Sequence, residues 1–326
     1  MPPLAKNLAA FSRTWFAPPA KTAPVVRLRT RIICGILVAA GVGAFAWRGL
    51  TVYKLGAKDL EPALHDAQAL IHHHRPYADK VGFDLVHYPL TASLFALPFS
   101  WLAPPLAGGL FAGISAGLLT FAMVRNGLNR LLILLSYPFW SSVVIVQWSP
   151  LLMAAAALPW LFPVVIAKPN LGLPIFLRSA TRTGAGVAAA LTLVTVILAP
   201  GWPAAWWHGL AGYQSFLPVT SGVGCLLLLA LAACKDPDSR FLLLMGLIPQ
   251  RWFYDALLLW LIPSTTVELL ATSLLSWGAM LLTPETRTIR QVALLSVGFN
   301  YLPMLAVVLT RPWRRRLPAG SLFGAR

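Results

Sequence analysis

The stretch LAGGLFAGISAGLLTFAMV, residues 106–124, decides the fold class of this chain. It contains no charged residue, and a helix needs about 20 such residues to cross about 30 Å of hydrocarbon. The whole sequence has the same character: 58% of its residues are apolar, only 11% are charged and its mean hydropathy is +0.71. Because soluble domains carry about 25% charged residues, we predict an all-α, polytopic membrane helix bundle. The apolar runs leave room for about eight to ten transmembrane helices.

Basic residues are concentrated at the two ends of the chain. Residues 1–31 hold six of them, residues 311–326 hold five, and neither segment contains an acid. The positive-inside rule therefore predicts that both termini are cytoplasmic, where anionic membrane lipid attracts them. This distribution explains the net charge of +16 and gives no reason to expect a nucleic acid partner. No repeat or domain break divides the sequence, so we expect one membrane domain to fill residues 1–326.

The first apolar run, Ile32–Trp47, ends at Arg48 without a small-residue cleavage site, which indicates an uncleaved membrane anchor. One crossing from a cytoplasmic N-terminus makes residues 54–104 an extracytoplasmic loop. This loop contains five of the ten acidic residues and five of the six histidines. We predict two helices in it: Leu60–His74, and Tyr88–Ala103 lying in the outer interface because it is short and broken by prolines. A true crossing is the alternative for the second.

The positive-inside rule also orders the later crossings. It places residues 125–130 and 168–182 in the cytoplasm and residues 147–150, 201–220 and 251–255 outside. The run Leu151–Ala167 is then one crossing that returns to Lys168 inside. Ten spans are preferred, because only an outer turn at 251–255 lets the helices Thr265–Leu282 and Val292–Leu309 deliver the basic tail to the cytoplasm.

Short motifs at wide intervals suggest a family. They are Asp59-x17-Tyr77, Tyr88-Pro89-Leu90, Gln147 before an apolar helix, Lys168-Pro169, and Tyr254-Asp255 before a Leu-rich run. Over residues 31–290 their order resembles the GT-C integral membrane glycosyltransferases, in particular the polyprenol-phosphate-mannose-dependent α-mannosyltransferases of bacterial envelope pathways. The chain departs from that family at Val146, where glycine is usual, and at Pro89, where paired prolines are usual.

The resemblance implies an enzyme of the bacterial plasma membrane. Such an enzyme transfers a hexose such as mannose, outside the membrane, from a polyprenyl-phosphate donor to a hydroxyl of a lipid or glycan acceptor, without a cofactor. Asp59 occupies the position of the catalytic base, and an inverting displacement needs a carboxylate that takes the acceptor proton. The plain alternative is that Asp59 only caps the helix Leu60–His74, which starts with Glu61-Pro62.

Other residues of the outer side are candidates for substrate binding. Asp66, on nearly the same helical face as Asp59, is the second candidate carboxylate. Arg251 is predicted to bind the donor phosphate, and the alternative is a structural Arg251–Asp255 pair one helical turn apart. Further donor-phosphate or substrate candidates are Lys58, Tyr77, His87, Tyr88, Gln147, Tyr254 and Asp255. Consecutive histidines at 72–74 point in different directions, so no metal site is predicted. Lys168 is cytoplasmic in this topology, so we expect it to have at most a structural role or a role in the passage of the lipid.

Two other classes of function stay open. A secondary transporter carries ionisable residues at mid-membrane and shows two similar halves, whereas the interior here offers Glu268 and no repeat. A non-catalytic scaffold that binds lipid-linked sugar or another membrane protein fits the same motifs. It differs from an enzyme in one respect, because its Asp59 does not need to face a cavity.

Overall fold

The computed structural model describes residues 26–54, 57–72, 76–77, 88–210, 214–284 and 288–316. Throughout this part the chain is helical, and its only β-type pairing is an isolated antiparallel bridge between Phe216 and Gln250. The α-helices are α1 Leu28–Val52, α2 Glu61–Ile71, α3 Thr91–Ala96, α4 Pro104–Met123, α5 Tyr137–Val144, α6 Ser149–Ala155, α7 Pro169–Ser179, α8 Arg182–Leu198, α9 Trp202–Gly209, α10 Pro237–Leu247, α11 Thr266–Ser276, α12 Gly278–Leu281, α13 Ile289–Ser296 and α14 Leu302–Arg316. The longer 3-10 segments are Leu128–Leu135, Pro159–Ala167, Gly222–Ala233 and Phe253–Leu261, and a π-helical turn, Val297–Tyr301, joins α13 to α14.

Within the described residues, three helices are long and apolar enough to cross a membrane. They are Leu28–Val52, Pro104–Asn126 and Ile289–Arg311. Two helix pairs, α5 with α6 and α8 with α9, bend by 119° and 98°, and they raise the number to five if each pair is one span. The chain therefore has the helices of a membrane protein. The larger number of eight to ten crossings stays a prediction.

Several apolar runs are shorter than a full α-helical span and adopt 3-10 geometry. The segment Gly222–Ala233 has 12 residues. An α-helix of this length covers about 18 Å, whereas a 3-10 helix, with a rise of about 2.0 Å per residue, covers about 24 Å. The tighter winding therefore makes this short run longer than an α-helix of the same number of residues.

Glycines let α1 and α4 approach each other closely. Gly109, Gly113 and Gly117 recur every four residues along α4, on the face that packs against Gly35, Ala39 and Gly43 of α1. A methyl group added to Gly113 would lie 2.5 Å from the carbonyl oxygen of Ala39. Small residues at this spacing are the usual means by which two membrane helices bring their backbones together.

Replacement of Gly113 by alanine tests this packing. We expect Gly113→Ala to destabilise the protein by about 1–3 kcal/mol, because the added methyl group overpacks the contact with α1. Gly41→Ala is the matched control, since a methyl group there meets nothing within 4 Å and Gly41 is exposed. Thermal unfolding of both variants in detergent gives the comparison. Equal unfolding temperatures would mean that α1 and α4 do not pack at Gly113.

Polar contacts mark the two ends of the α1–α4 pair, which the 20 residues of α4 separate by about 30 Å. At one end Arg31 Nε donates to the carbonyl of Phe121 at 3.1 Å. The ion pairs of Arg178 and Arg311 with Asp236 and Asp238 are at this end too, close to Arg130. At the other end Asp59 N donates to Ile145 O at 3.4 Å, and Leu50, Ala57 and Val146 surround Gly108. The residues named at these two ends were predicted on opposite sides of the membrane, and one predicted residue departs from this pattern.

That residue is Lys168, which the sequence placed inside. Its ammonium contacts Asp255 at 2.7 Å, and Thr91 Oγ1 donates to Ile166 O at 2.7 Å, so this part of the chain lies at the Asp59 end. The predicted single crossing Leu151–Ala167 is wrong. The chain instead forms α6, turns at residues 156–158, and returns as the 3-10 segment Pro159–Ala167, because a proline cannot continue the preceding helix.

Both predicted helices of the first loop are shorter than expected. The helix predicted at Leu60–His74 is α2, Glu61–Ile71, and the one predicted at Tyr88–Ala103 is α3, Thr91–Ala96, with a 3-10 turn at Leu97–Phe99. Four of the six residues of α3 are buried against the rest of the protein, and its position in the outer interface stays a prediction.

Candidate functional site

Asp59 lies in the turn between α1 and α2, and only 8% of it is exposed. The Tyr88 hydroxyl donates to Asp59 Oδ1 at 3.0 Å, and Gln147 Nε2 donates to Asp59 Oδ2 at 2.8 Å. Trp148 Nε1 donates to the backbone carbonyl of Asp59 at 3.3 Å. Three segments that are far apart in the chain therefore enclose this carboxylate, and the sequence-predicted residues Asp59, Tyr88 and Gln147 are in direct contact.

The interpretation of Asp59 as a helix cap is wrong. The N-cap residue of α2 is Leu60, and no side chain caps this helix end. The carboxylate of Glu61 accepts the backbone N–H of Ala57 at 3.0 Å and so stabilises the turn instead. The oxygens of Asp59 are directed to Tyr88 and Gln147 and are not engaged by the helix.

The Tyr88 hydroxyl lies between two acceptors, 3.0 Å from Asp59 Oδ1 and 3.2 Å from Gln147 Oε1. It has one hydrogen to donate. When Asp59 is ionised, this hydrogen goes to the carboxylate. When Asp59 is protonated, its O–H can donate to Tyr88, and the Tyr88 hydrogen turns to Gln147. Both charge states of Asp59 are hydrogen-bonded, which suits a group that gains and loses a proton.

Charges around Asp59 act on its acidity in opposite directions. Burial raises the pKa of Asp59 above its ordinary value. The cations Lys168 and Arg251 and the hydrogen bond from Tyr88 lower the pKa, while Asp255 raises it. The net effect is a raised pKa, which makes the carboxylate a stronger base than an exposed aspartate.

Lys168 and Asp255 form a buried ion pair beside this carboxylate. Lys168 Nζ lies 2.7 Å from Asp255 Oδ1, and the side chains are 7% and 0% exposed. The second oxygen of Asp255 accepts the backbone N–H of Arg251 at 2.8 Å, and the Tyr254 ring lies 5.0 Å from Lys168 Nζ. The predicted Arg251–Asp255 contact therefore exists through the Arg251 backbone, and Asp255 forms its ion pair with Lys168.

The backbone at Val146 presents Gln147 to Asp59. Val146 has a φ of +56°, in the left-handed region that favours glycine and is an outlier for a β-branched residue. Gln147 N donates to Ser142 O at 2.8 Å, and Gln147 Oε1 accepts the N–H of Trp148 at 2.7 Å. Glycine is usual at position 146 in the family that the sequence resembles, and the left-handed backbone of Val146 is a conformation that glycine adopts readily.

Asp66 and Tyr77 form a second contact next to the site. Asp66 Oδ1 accepts the backbone N–H of Tyr77 at 3.3 Å, and the Tyr77 hydroxyl donates to the backbone carbonyl of Tyr88 at 3.1 Å. Burial raises the pKa of Asp66 to about 7, against the lowering effect of the Tyr77 hydrogen bond. Asp66 therefore supports the segment that carries Tyr88, and its role as a second carboxylate stays a prediction.

The raised pKa of Asp66 predicts a specific dependence of stability on pH. The folded protein binds this proton more tightly than the unfolded chain, so the stabilisation is complete below about pH 4 and is lost as the pH rises to about 7. The loss amounts to at most about 4 kcal/mol. Asp66→Asn, which resembles the protonated acid, should remove this dependence and raise the unfolding temperature at pH 8. The unfolding temperature is measured at pH 5 and pH 8 for the wild type and for Asp66→Asn. An equal change between the two pH values in both proteins would contradict a raised pKa of Asp66.

Two of the predicted candidates remain. Lys58 is exposed to solvent, and His87 lies outside the described residues. The described part of the chain has no group of three metal-ligating side chains. Sequence reasoning missed Lys168 and Trp148. The signal for Lys168 was available, because a single charged residue between long apolar runs is costly unless it is used or paired.

The described contacts and charges thus gather Asp59, Tyr88 and Gln147 with Lys168, Arg251 and Asp255 at one end of the bundle. This arrangement can take up a proton at Asp59 and offers positive charge for an anion beside it. No protein-family model, no curated protein and no solved structure matches the chain.

Proposed function

We propose that this protein is a membrane glycosyltransferase of the GT-C type with Asp59 as its general base. It moves a hexose such as mannose from a polyprenyl-phosphate donor to an acceptor hydroxyl of a lipid or glycan. The observation that carries the proposal is the buried Asp59 carboxylate, hydrogen-bonded by Tyr88 and Gln147 and flanked by Lys168 and Arg251. The sequence resemblance supplies the class of donor, and the apolar helices fit a lipid-linked substrate.

The reaction that fits this geometry is a direct displacement at the anomeric carbon of the sugar. The acceptor oxygen forms a bond to that carbon while its proton moves to the Asp59 carboxylate. The bond from the anomeric carbon to the donor phosphate oxygen breaks, and the electron pair stays on the phosphate. The phosphate thereby gains one negative charge, which nearby cations stabilise.

The proposed orientation follows from the distribution of charge. Both basic termini are cytoplasmic and the Asp59 end of the bundle faces the outside of a bacterial plasma membrane. Ten crossings, counting short and 3-10 segments, are part of this proposal, and α7 takes the place of the run Leu151–Ala167 among them. With this orientation the donor lipid lies in the outer leaflet, and its phosphate reaches the Asp59 end near the interface.

Release of the lipid product tests the proposed function. The full-length protein in lipid nanodiscs is incubated with a radiolabelled polyprenyl-phosphate hexose and an extract of bacterial envelope lipids and glycans. We expect sugar-free polyprenyl phosphate to appear together with a labelled product. A scaffold binds the same donor without releasing polyprenyl phosphate, so the absence of release with intact binding would contradict the enzyme.

A further inference from the structure

The start of α7, which follows Lys168, is held at the site by one neighbouring segment. The Lys168 ammonium contacts Asp255 at 2.7 Å, and Asn170 Nδ2 donates to the carbonyl of Pro249 at 2.9 Å. The start of α7 is therefore fastened to the segment 249–255 at two points. An ammonium has three N–H donors, and the contact with Asp255 uses one of them.

Stability alone does not explain this ion pair. The side chains of Lys168 and Asp255 are 7% and 0% exposed, so both charges lose most of their hydration. A buried pair is often no more stabilising than apolar residues of the same volume. In a membrane protein, ionisable side chains away from the aqueous surface are associated with substrate or ion pathways. We therefore expect this ion pair to have a functional role in addition to its contribution to stability.

The position of Lys168 relative to Asp59 defines that function. Thr91 Oγ1 donates to Ile166 O at 2.7 Å, which fastens the segment before Lys168 close to Tyr88 and so to Asp59. In agreement with this position, Lys168 lowers the pKa of Asp59. In the proposed displacement the acceptor oxygen is about 3 Å from the base, and the anomeric carbon is about 3–3.5 Å farther on. The donor phosphate is bonded through oxygen to that same carbon, on the face away from the acceptor. It therefore lies several ångströms from Asp59, within reach of a neighbouring cation such as Lys168.

We infer that Lys168 binds the phosphate of the lipid-linked donor and that Asp255 is a positioning residue that orients the Lys168 ammonium. The inference rests on the proposed function and names a phosphate-binding residue for it. Asp255 takes one N–H of Lys168 and leaves the others for phosphate oxygens. As the bond to the sugar breaks, the extra negative charge develops beside a cation that is already desolvated and held in place.

Binding of sugar-free polyprenyl phosphate to the full-length protein tests this inference without any transfer reaction. The probe is presented in nanodiscs of neutral phosphatidylcholine, and its dissociation constant is measured. The informative comparison is Asp255→Asn against the double variant Lys168→Met with Asp255→Asn. Both lack the buried carboxylate. Asp255→Asn keeps the Lys168 ammonium without its partner, whereas the double variant removes both charges, so the two variants differ only in the ammonium. Arg182→Met, at an exposed position of α8, controls for the loss of a positive charge elsewhere.

We expect Asp255→Asn to weaken binding about three- to tenfold, because the ammonium is still present but is no longer oriented. The double variant should bind about ten- to a hundredfold more weakly, which corresponds to a hydrogen bond with a charged partner. Arg182→Met should bind like the wild type. Equal dissociation constants for Asp255→Asn and the double variant would overturn the inference. So would equally effective competition by phosphatidylglycerol or by inorganic phosphate, because the site would then recognise any anionic lipid or any phosphate.

The proposed function and this inference can fail separately. If the lipid phosphate binds in a Lys168-dependent way but no sugar is transferred, the inference stands and the enzyme assignment falls. If transfer requires Asp59 but binding of the lipid phosphate is unaffected by Lys168, the enzyme assignment stands and the inference falls. If no variant and no wild-type protein binds polyprenyl phosphate, both fall.

Discussion

Asp59→Asn should lower the rate of sugar transfer by about a hundred- to ten-thousandfold, the usual contribution of a general base. The amide keeps the shape of the side chain but cannot take the acceptor proton. The measurement is the rate of release of polyprenyl phosphate in nanodiscs. Binding of the sugar-free lipid phosphate should change little, because Asp59 is not the proposed phosphate ligand. A variant that turns over at the wild-type rate would exclude Asp59 as the base.

A second substitution separates chemistry from hydrogen bonding. In the wild type Gln147 Nε2 donates to Asp59 at 2.8 Å. Asparagine at position 59 would place its own NH2 donor opposite this Nε2 donor. Adding Gln147→Glu restores one carboxylate and one amide in the pair. We expect this double variant to unfold close to the wild-type temperature and still to transfer sugar poorly, since its carboxylate is displaced from the position of the base. Full recovery of transfer would contradict a specific role for Asp59.

The pH dependence of the wild-type reaction has a definite sign. Asp59 must be ionised to accept a proton, and burial raises its pKa. The rate should therefore fall as the pH drops through that raised pKa, at a higher pH than an exposed aspartate would give. In the double variant the remaining slow reaction should follow a different pH profile, because a different carboxylate titrates.

Lys168→Met is expected to lower the stability of the folded protein by about 3–5 kcal/mol, the usual effect of removing one partner of a buried ion pair. Methionine nearly matches the length of the lysine side chain, so the main change is the loss of charge. Asp255, which is 0% exposed, is then left without its cation. The unfolding temperature in detergent measures the effect.

The matched control for Lys168→Met is its combination with Asp255→Asn. This double variant removes both charges. In the wild type the backbone N–H of Arg251 donates to Asp255 at 2.8 Å, and the side-chain oxygen of asparagine at position 255 can still accept it. Most of the lost stability should return. If single and double variants are equally unstable, the two side chains are not coupled, and the contact between α7 and the segment 249–255 has another basis.

Much of the site could be predicted because three of its residues belong to separate short motifs. The order of Asp59, Tyr88 and Gln147 along the chain suggested that they act together, and the structure brings them into contact. Their chemical roles stay a prediction. The sequence could not indicate which group engages the Asp59 carboxylate, because a helix cap and a side-chain contact from far along the chain use the same oxygen atoms.

Lys168 could not be placed correctly by counting apolar residues. The run Leu151–Ala167 has nearly the length of one crossing, so the positive-inside rule assigned its end to the cytoplasm. Pro159 was the overlooked signal: the chain turns just before it and the 3-10 segment starts there. Length alone does not distinguish one spanning helix from two short segments that pack against each other, since both bury their backbone hydrogen bonds inside the protein.

The same reason explains the difference in helix number. Hydropathy predicts eight to ten crossings, whereas the described residues contain three helices that meet the length and composition of a span. The rest of the apolar sequence is divided by bends and by 3-10 segments. Prolines and glycines mark many of these divisions, but whether a marked position is a kink within one crossing or a turn between two depends on which neighbours pack against it.

The backbone conformation of Val146 connects the formation of the site with the packing of the helices. A β-branched residue held in a left-handed conformation costs about 1–3 kcal/mol, and it keeps that conformation only where surrounding contacts impose it. Val146 is fully buried, with its side chain near Gly108 of α4. We therefore expect the amide of Gln147 to reach Asp59 only after these helices have docked. Until then the carboxylate should be hydrated, so the proposed site would form only with the complete bundle.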